Sequence, residues 1–229
     1  SEMCIRDRFI ARYRKEVTGS LNDEVLRNLD ERLKYLRGLE DRKTQILASI
    51  EDQGKLTADL KKKIEEAETM LAVEDLYLPF RPKRKTRASM AKERGLEPLA
   101  DTILLQVTKE PIETLAAQYV SEEKGVADAK AAIDGAKDIL AERISEVAKY
   151  RAYIRNVTKE EGSIVSAAKD EKTESVYEMY YHHEELVRKC AGHRILALNR
   201  GEKEKILTVK IAAPEEKILR YLNKMVITR

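Results

Sequence analysis

The sequence predicts a mainly α, multi-helical protein with a long N-terminal helical hairpin, a helix-turn-helix-like cluster and a small two-stranded β element near the C-terminus. Three observations carry this. Apolar residues recur at spacings of three and four over long stretches, beginning with Leu26, Leu29, Leu33, Leu36 and Leu39. Aromatic residues make up 5% of the 229, with no Trp and two Phe, which argues against a β-sandwich of aromatic and β-branched strands. Only two short runs, Ser163 to Ala168 and Lys205 to Ile211, read as strands, and they are expected to pair.

The first long helix starts at Asn22 or Asp23, whose side chains cap well, continues its stripe through Ile46, Leu47 and Ile50, and ends at Gly54. Thr57 opens a second helix carrying Leu60, Ile64, Ala67 and Leu71 on one side. The short Gln53-Gly54-Lys55 connection makes the two antiparallel. Pro79 and Pro82 then break helical geometry and hold the chain extended as a connector. Short helices follow at Ala88 to Arg94 ending at Gly95, at Pro98 in a first-turn position, and at Pro111 opening Ile112 to Val120. Such tight Gly and Pro turns resemble helix-turn-helix units. Val126 to about Tyr150 reads as another long helix running on toward Gly162. Glu174 to Cys190 shows helical periodicity through Val176, Tyr180, Leu186 and Val187. His193 to Glu204 has no decisive period and fits helix or strand, and Pro214 opens a last amphipathic helix with Ile218, Leu219 and Leu222.

Composition limits the function classes. A hydrophobic fraction of 42% supports ordinary cores, and the longest apolar runs fall far short of the ~20 residues a membrane helix needs, so no membrane is expected. Two cysteines, Cys4 and Cys190, are too few for a disulfide framework and fit a reducing, cytoplasmic location. Charged residues reach 37%, yet the formal balance is only +3. From Arg81 to Arg94 seven basic residues face Glu93 alone, a local charge of +6, so the rest of the chain is slightly acidic.

Catalytic chemistry finds little support. His182, His183, His193 and Cys190 offer a Cys-x-x-His spacing, but a fourth soft ligand is lacking, and they read as ordinary packing or surface residues. No nucleophile elbow and no glycine-dense phosphate loop is present. Adjacent acids such as Glu74-Asp75 and Asp170-Glu171 do not converge as two-metal chemistry requires. The expectation is therefore no catalytic residues, no metal and no cofactor. Binding is the stronger reading. Arg81, Lys83, Arg84, Lys85 and Arg87, displayed on a proline-stiffened segment, suit a phosphate backbone of RNA or DNA. Equally, such a basic loop docks on an acidic surface of the same chain or a partner. Arg12, Arg14 and Lys15 beside Tyr13 form a second candidate cluster.

Three blocks then resemble a known family: Phe9 to Gly19, Glu74 to Ala88 and His193 to Glu202, with Gly95-Leu96-Glu97-Pro98-Leu99-Ala100 between them. They are similar to signature blocks of the bacterial Tex family, RNA-binding transcription accessory proteins related to a eukaryotic transcription elongation factor. The resemblance covers Phe9 to the chain end, whereas Ser1 to Arg8 departs from the pattern and reads as a non-native edge. It implies that the chain is the N-terminal helical portion, followed in the family by a YqgF-type RNase H-like domain, helix-hairpin-helix elements and an S1-type domain that carries the principal nucleic-acid affinity. Met225 to Arg229, an apolar run without a cap, likewise suggests continuation. The resemblance also implies helix for His193 to Gly201 and a strand at Ile206 to Ile211.

The expected organisation is an edge at 1–8, a helical hairpin region at 9–78, a basic connector with the helix-turn-helix-like cluster at 79–121, and long helices with the β element at 122–229. The expected role is a noncatalytic helical scaffold of a Tex-like protein that contributes to nucleic-acid binding and transcription regulation. The alternative is a protein-interaction module that contacts the transcription machinery without touching nucleic acid.

Overall fold

Asn22 accepts the Val25 amide at 2.8 Å and starts α1 (Asp23–Asp52), with Asp23 and Glu24 in the first turn where the helix dipole favours acids. In the computed structural model the described residues are 22–82 and 85–228, together with Phe9 and Tyr13. The expected edge at Ser1 to Arg8 lies outside them. The chain divides into two compact units, Ser1–Arg81 and Pro82–Arg229.

In the first unit Gly54 takes φ +65° and turns the chain after α1 into α2 (Ala58–Glu65), which Thr57 caps. The expected second arm through Leu71 is corrected: helix stops at Glu65, and Thr69 caps a separate α3 (Met70–Tyr77). The contacts give the directions. Lys43, near the middle of α1, donates to the Glu65 carbonyl at the far end of α2, so α2 runs back along α1. Tyr35 meets Met70, Arg42 meets Glu74 and Ser49 meets Tyr77, so α3 runs alongside α1 in the same sense. Lys43 is itself buried, and its bonds to the Glu65 carbonyl and to Glu40 satisfy it while closing a helix C-terminus. Leu39, Ile46 and Ile50 from α1, Ile64 from α2, and Val73 and Tyr77 from α3 make the core. The earlier part of the α1 stripe, Leu29, Leu33 and Leu36, stays exposed.

The second unit is organised around α7 (Ala129–Glu146), capped by Asp128 at 2.6 Å. Helices α4 (Arg87–Glu93), α5 (Glu97–Leu105) and α6 (Ile112–Ala117) all pack on it. Arg94-Gly95-Leu96 joins α4 to α5 with Gly95 at φ +80°, a helix-turn-helix-like corner. Gly135 of α7 is required here, because a Cβ would lie 2.4 Å from Leu96 Cδ1 in the buried core of Ala88, Leu96, Leu99, Ala116, Ala136 and Ile139. Arg143 forks to Asp101 at 2.5 Å and Glu97 at 2.8 Å and locks α5 to α7.

The single long helix expected toward Gly162 is also corrected. Val147, extended at ψ 110°, ends α7 and starts α8 (Ala148–Glu161). Three antiparallel strands follow in the order β2-β1-β3: β1 (Ser163–Ala168), β2 (His182–Leu186) and β3 (Leu207–Ala212). Strands β1 and β3 pair as expected, Ile164 opposite Ile211 and Ser166 opposite Val209. The third strand overturns the helical reading of Glu174 to Cys190. In its place Tyr177, Tyr180 and Tyr181 are buried, Val176 points out, and β2 pairs with β1. The tyrosines bury against α9 (Gly192–Lys203) and β3 through Leu198 and Leu207, so tertiary packing overrides the local period. Helix α9 contains the stretch His193 to Gly201 for which the family resemblance implied helix and runs on to Lys203. Finally, α10 (Glu215–Val226) packs on α8 through the stacked rings of Tyr153 and Tyr221, centroids 3.6 Å apart.

Candidate nucleic-acid interface

The basic segment begins where α3 ends. Pro79 lies in a single 3₁₀ turn, Leu78–Phe80, and Gln53 anchors that turn by donating to the Phe80 carbonyl at 3.0 Å. Arg81 then leaves in an extended conformation, φ −64° and ψ 132°, as the residue before a proline should. On the far side Thr86 caps α4 reciprocally. Its amide donates to Ser89 Oγ at 2.8 Å, the Ser89 amide donates to Thr86 Oγ1 at 3.0 Å, and the Thr86 hydroxyl donates to Glu142 of α7 at 3.1 Å. Each end of the segment is therefore fixed to its own unit.

The expected cations divide as follows. Arg81 and Arg87 are exposed and make no ion pair among the described residues. Lys85 Nζ lies 3.4 Å from Glu93, with both side chains well exposed. Such a pair contributes ~0–1 kcal/mol and yields readily to a phosphate. Lys83 and Arg84 lie outside the described residues, as do Arg12, Arg14 and Lys15. In that N-terminal block the described Phe9 and Tyr13 are helical and exposed, with ring centroids 5.0 Å apart. Lys92 is engaged by Glu142 at 3.4 Å.

Lys124 is a cation that sequence reading missed. Its Nζ sits 3.5 Å from where a Cβ on Gly95 would be, and Arg94 Nε sits 3.8 Å from the equivalent point on Gly125. Two glycine turns at positive φ thus bring Arg94 and Lys124 beside one another, both exposed. Thirty residues separate them in the chain, and no local pattern signals the approach.

The histidines and the cysteine are spread over a strand, a turn and a helix: His182 and His183 on β2, Cys190 at the end of a 3₁₀ turn and His193 on α9. Among the described residues no three His, Cys, Asp or Glu side chains group so as to hold a metal. Arg194 donates to Glu185 at 2.5 Å and holds that carboxyl below its ordinary range. Desolvation, then the neighbouring Glu185, pushes the Cys190 thiol up. Glu185 Oε2 and His183 Nε2 face each other at 3.6 Å, both buried without a hydrogen-bond partner. Among the described residues no helix is long and apolar enough to cross a membrane.

Together these features define a mainly helical chain with a helix-turn-helix-like cluster, a small antiparallel sheet and exposed cations ahead of and on α4. The chain belongs to the Tex-like family. The family described as Tex central region-like matches residues 107–228, and the Tex-like protein N-terminal domain matches residues 8–51. The protein YdcI of Bacillus subtilis (strain 168) is 48% identical over 96% of this chain and 31% of its own length. Protein tex of Bordetella pertussis (strain Tohama I) is 49% identical over 89% of this chain and 26% of its own length. Transcriptional accessory protein Tex of Neisseria gonorrhoeae is 45% identical over 89% and 27%. The chain thus spans under a third of the relatives it matches.

Proposed function

We propose that this chain is a noncatalytic helical scaffold of a cytoplasmic, Tex-like transcription accessory protein, and that its basic segment contacts the phosphate backbone of nucleic acid. The observation that carries this reading is the exposure of Arg81 and Arg87 without acid partners among the described residues, next to Lys85 in a weak surface pair. Arg94 and Lys124 extend the same charge along the corner between α4 and α5. Within the second unit Thr86, bonded to Ser89 and Glu142, holds Lys85 and Arg87 at the start of α4. The name of the gonococcal relative supports the link to transcription.

The test is affinity for RNA and for duplex DNA across a salt series, with Arg81, Lys83, Arg84, Lys85 and Arg87 changed to Ala. Each lost contact should flatten the plot of log K against log salt by about 0.9 on duplex DNA and about 0.7 on single strands. Unchanged affinity and slope would remove the segment from the interface.

A second reading is favoured by the bare stripe Leu29, Leu33 and Leu36 on α1, which fits a protein partner of the transcription machinery. Under that reading Leu29→Lys with Leu33→Glu abolishes retention of purified RNA polymerase while nucleic-acid affinity is unaltered. Equal retention by the variant counts against it.

A further inference from the structure

Gln106 ends α5 at φ +52°, in the left-handed region that residues with a Cβ disfavour. The conformation aims its carboxamide at the end of α10. Nε2 donates to the Val226 carbonyl at 2.7 Å, while Oε1 accepts the Thr228 amide at 3.0 Å and the Thr228 hydroxyl at 3.3 Å. Both faces of one amide therefore join the two ends of the segment that the central-region family matches, 107 and 228. The three large side chains that flank these joined atoms point away from the protein: Leu105 is 66% exposed, Val107 64% and Ile227 53%. Leu104 and Met225 add to the margin. A strained residue thus holds an apolar patch open at the place where the chain passes Thr228.

We propose that this patch seats the polypeptide that follows residue 229 in full-length members of the family. The relatives extend to more than three times this chain, since it covers 31%, 26% and 27% of them. The match of residues 8–51 to an N-terminal domain supports placing much of the relatives' additional length after the part matched here. The Gln106 amide holds Thr228 beside the patch, and a segment tethered there meets it at high effective concentration. Burial of three aliphatic side chains supplies the driving force.

The test places cysteine at Leu105→Cys or Ile227→Cys, with Lys130→Cys on the exposed face of α7 as control, in a Cys4→Ser, Cys190→Ser background. Maleimide labelling is timed in the chain of 229 residues and in the full-length protein carrying this sequence. Labelling at 105 and 227 should slow by about tenfold or more in the longer protein, with the control unchanged. Leu105→Asp should lower the melting temperature of the longer protein and leave that of the shorter one in place. Equal labelling rates at both lengths overturn the proposal. So does slow labelling of the short chain that speeds up on dilution, which assigns the patch to a second copy.

Discussion

Gly201 lies in α9, against the sheet. A Cβ there would stand 2.6 Å from Leu207 Cδ1, 2.8 Å from Leu207 Cγ and 3.3 Å from Tyr177 Cδ1, and Leu207 is fully buried. Because Cγ is involved, rotating the end of Leu207 does not relieve the clash, and α9 or β3 has to move. Overpacking of this kind costs about 1 to 3 kcal/mol, whereas replacing Gly by Ala inside a helix returns about 1 kcal/mol. With Leu207 Cγ itself in the clash the cost lies in the upper half of that range, about 2 to 3 kcal/mol, so Gly201→Ala should destabilise the sheet region by about 1 to 2 kcal/mol. Native-state hydrogen exchange of the Thr208 and Ser166 amides reads this locally, which matters in a chain of two units whose global unfolding need not be two-state. Exchange should accelerate by about 5- to 30-fold. Adding Leu207→Ala to Gly201→Ala should cost less than the two separate losses combined, because the pair shares one volume. Unchanged or slower exchange in Gly201→Ala would show that α9 is free to relax and that the close approach is not a constraint.

Two further expectations concern polar contacts. Arg194 depresses the Glu185 carboxyl, so the pair stabilises the fold above the ordinary carboxylate range, and that stability is lost as pH falls through the lowered folded value. Arg194→Met should shift the acid loss of β2 protection to higher pH, and coincident curves for the two proteins would refute the pairing. Thr86→Val removes the cap of α4 and the bond to Glu142 together, and should cost about 1 to 2 kcal/mol, measured by denaturant unfolding of the second unit.

Much of this architecture is legible in local chemistry. Asn22 and Thr57 cap where side-chain oxygens precede an apolar period, Gly54 and Gly95 turn where the stripes end, and Pro214 opens α10. What escapes is set by distant partners. Val176, Tyr180, Leu186 and Val187 keep a helical interval, yet β1 binds strands on both edges and the tyrosines are captured by Leu198 and Leu207. No glycine or proline marks the corner at Val147. The separation of α3 from α2 depends on the weak signal of Thr69. At the candidate interface, charge alone identifies Arg81, Lys85 and Arg87, whereas the approach of Lys124 to Arg94 needs two turns from separate parts of the chain.

The central position of β1 has a consequence during synthesis. When β2 has left the ribosome, β1 can complete a two-stranded ribbon, but its other edge keeps open amides and carbonyls until β3 emerges and Ala168 finds Leu207. At ~5–20 residues per second that interval lasts a few seconds. During it the nascent chain exposes a sticky strand edge.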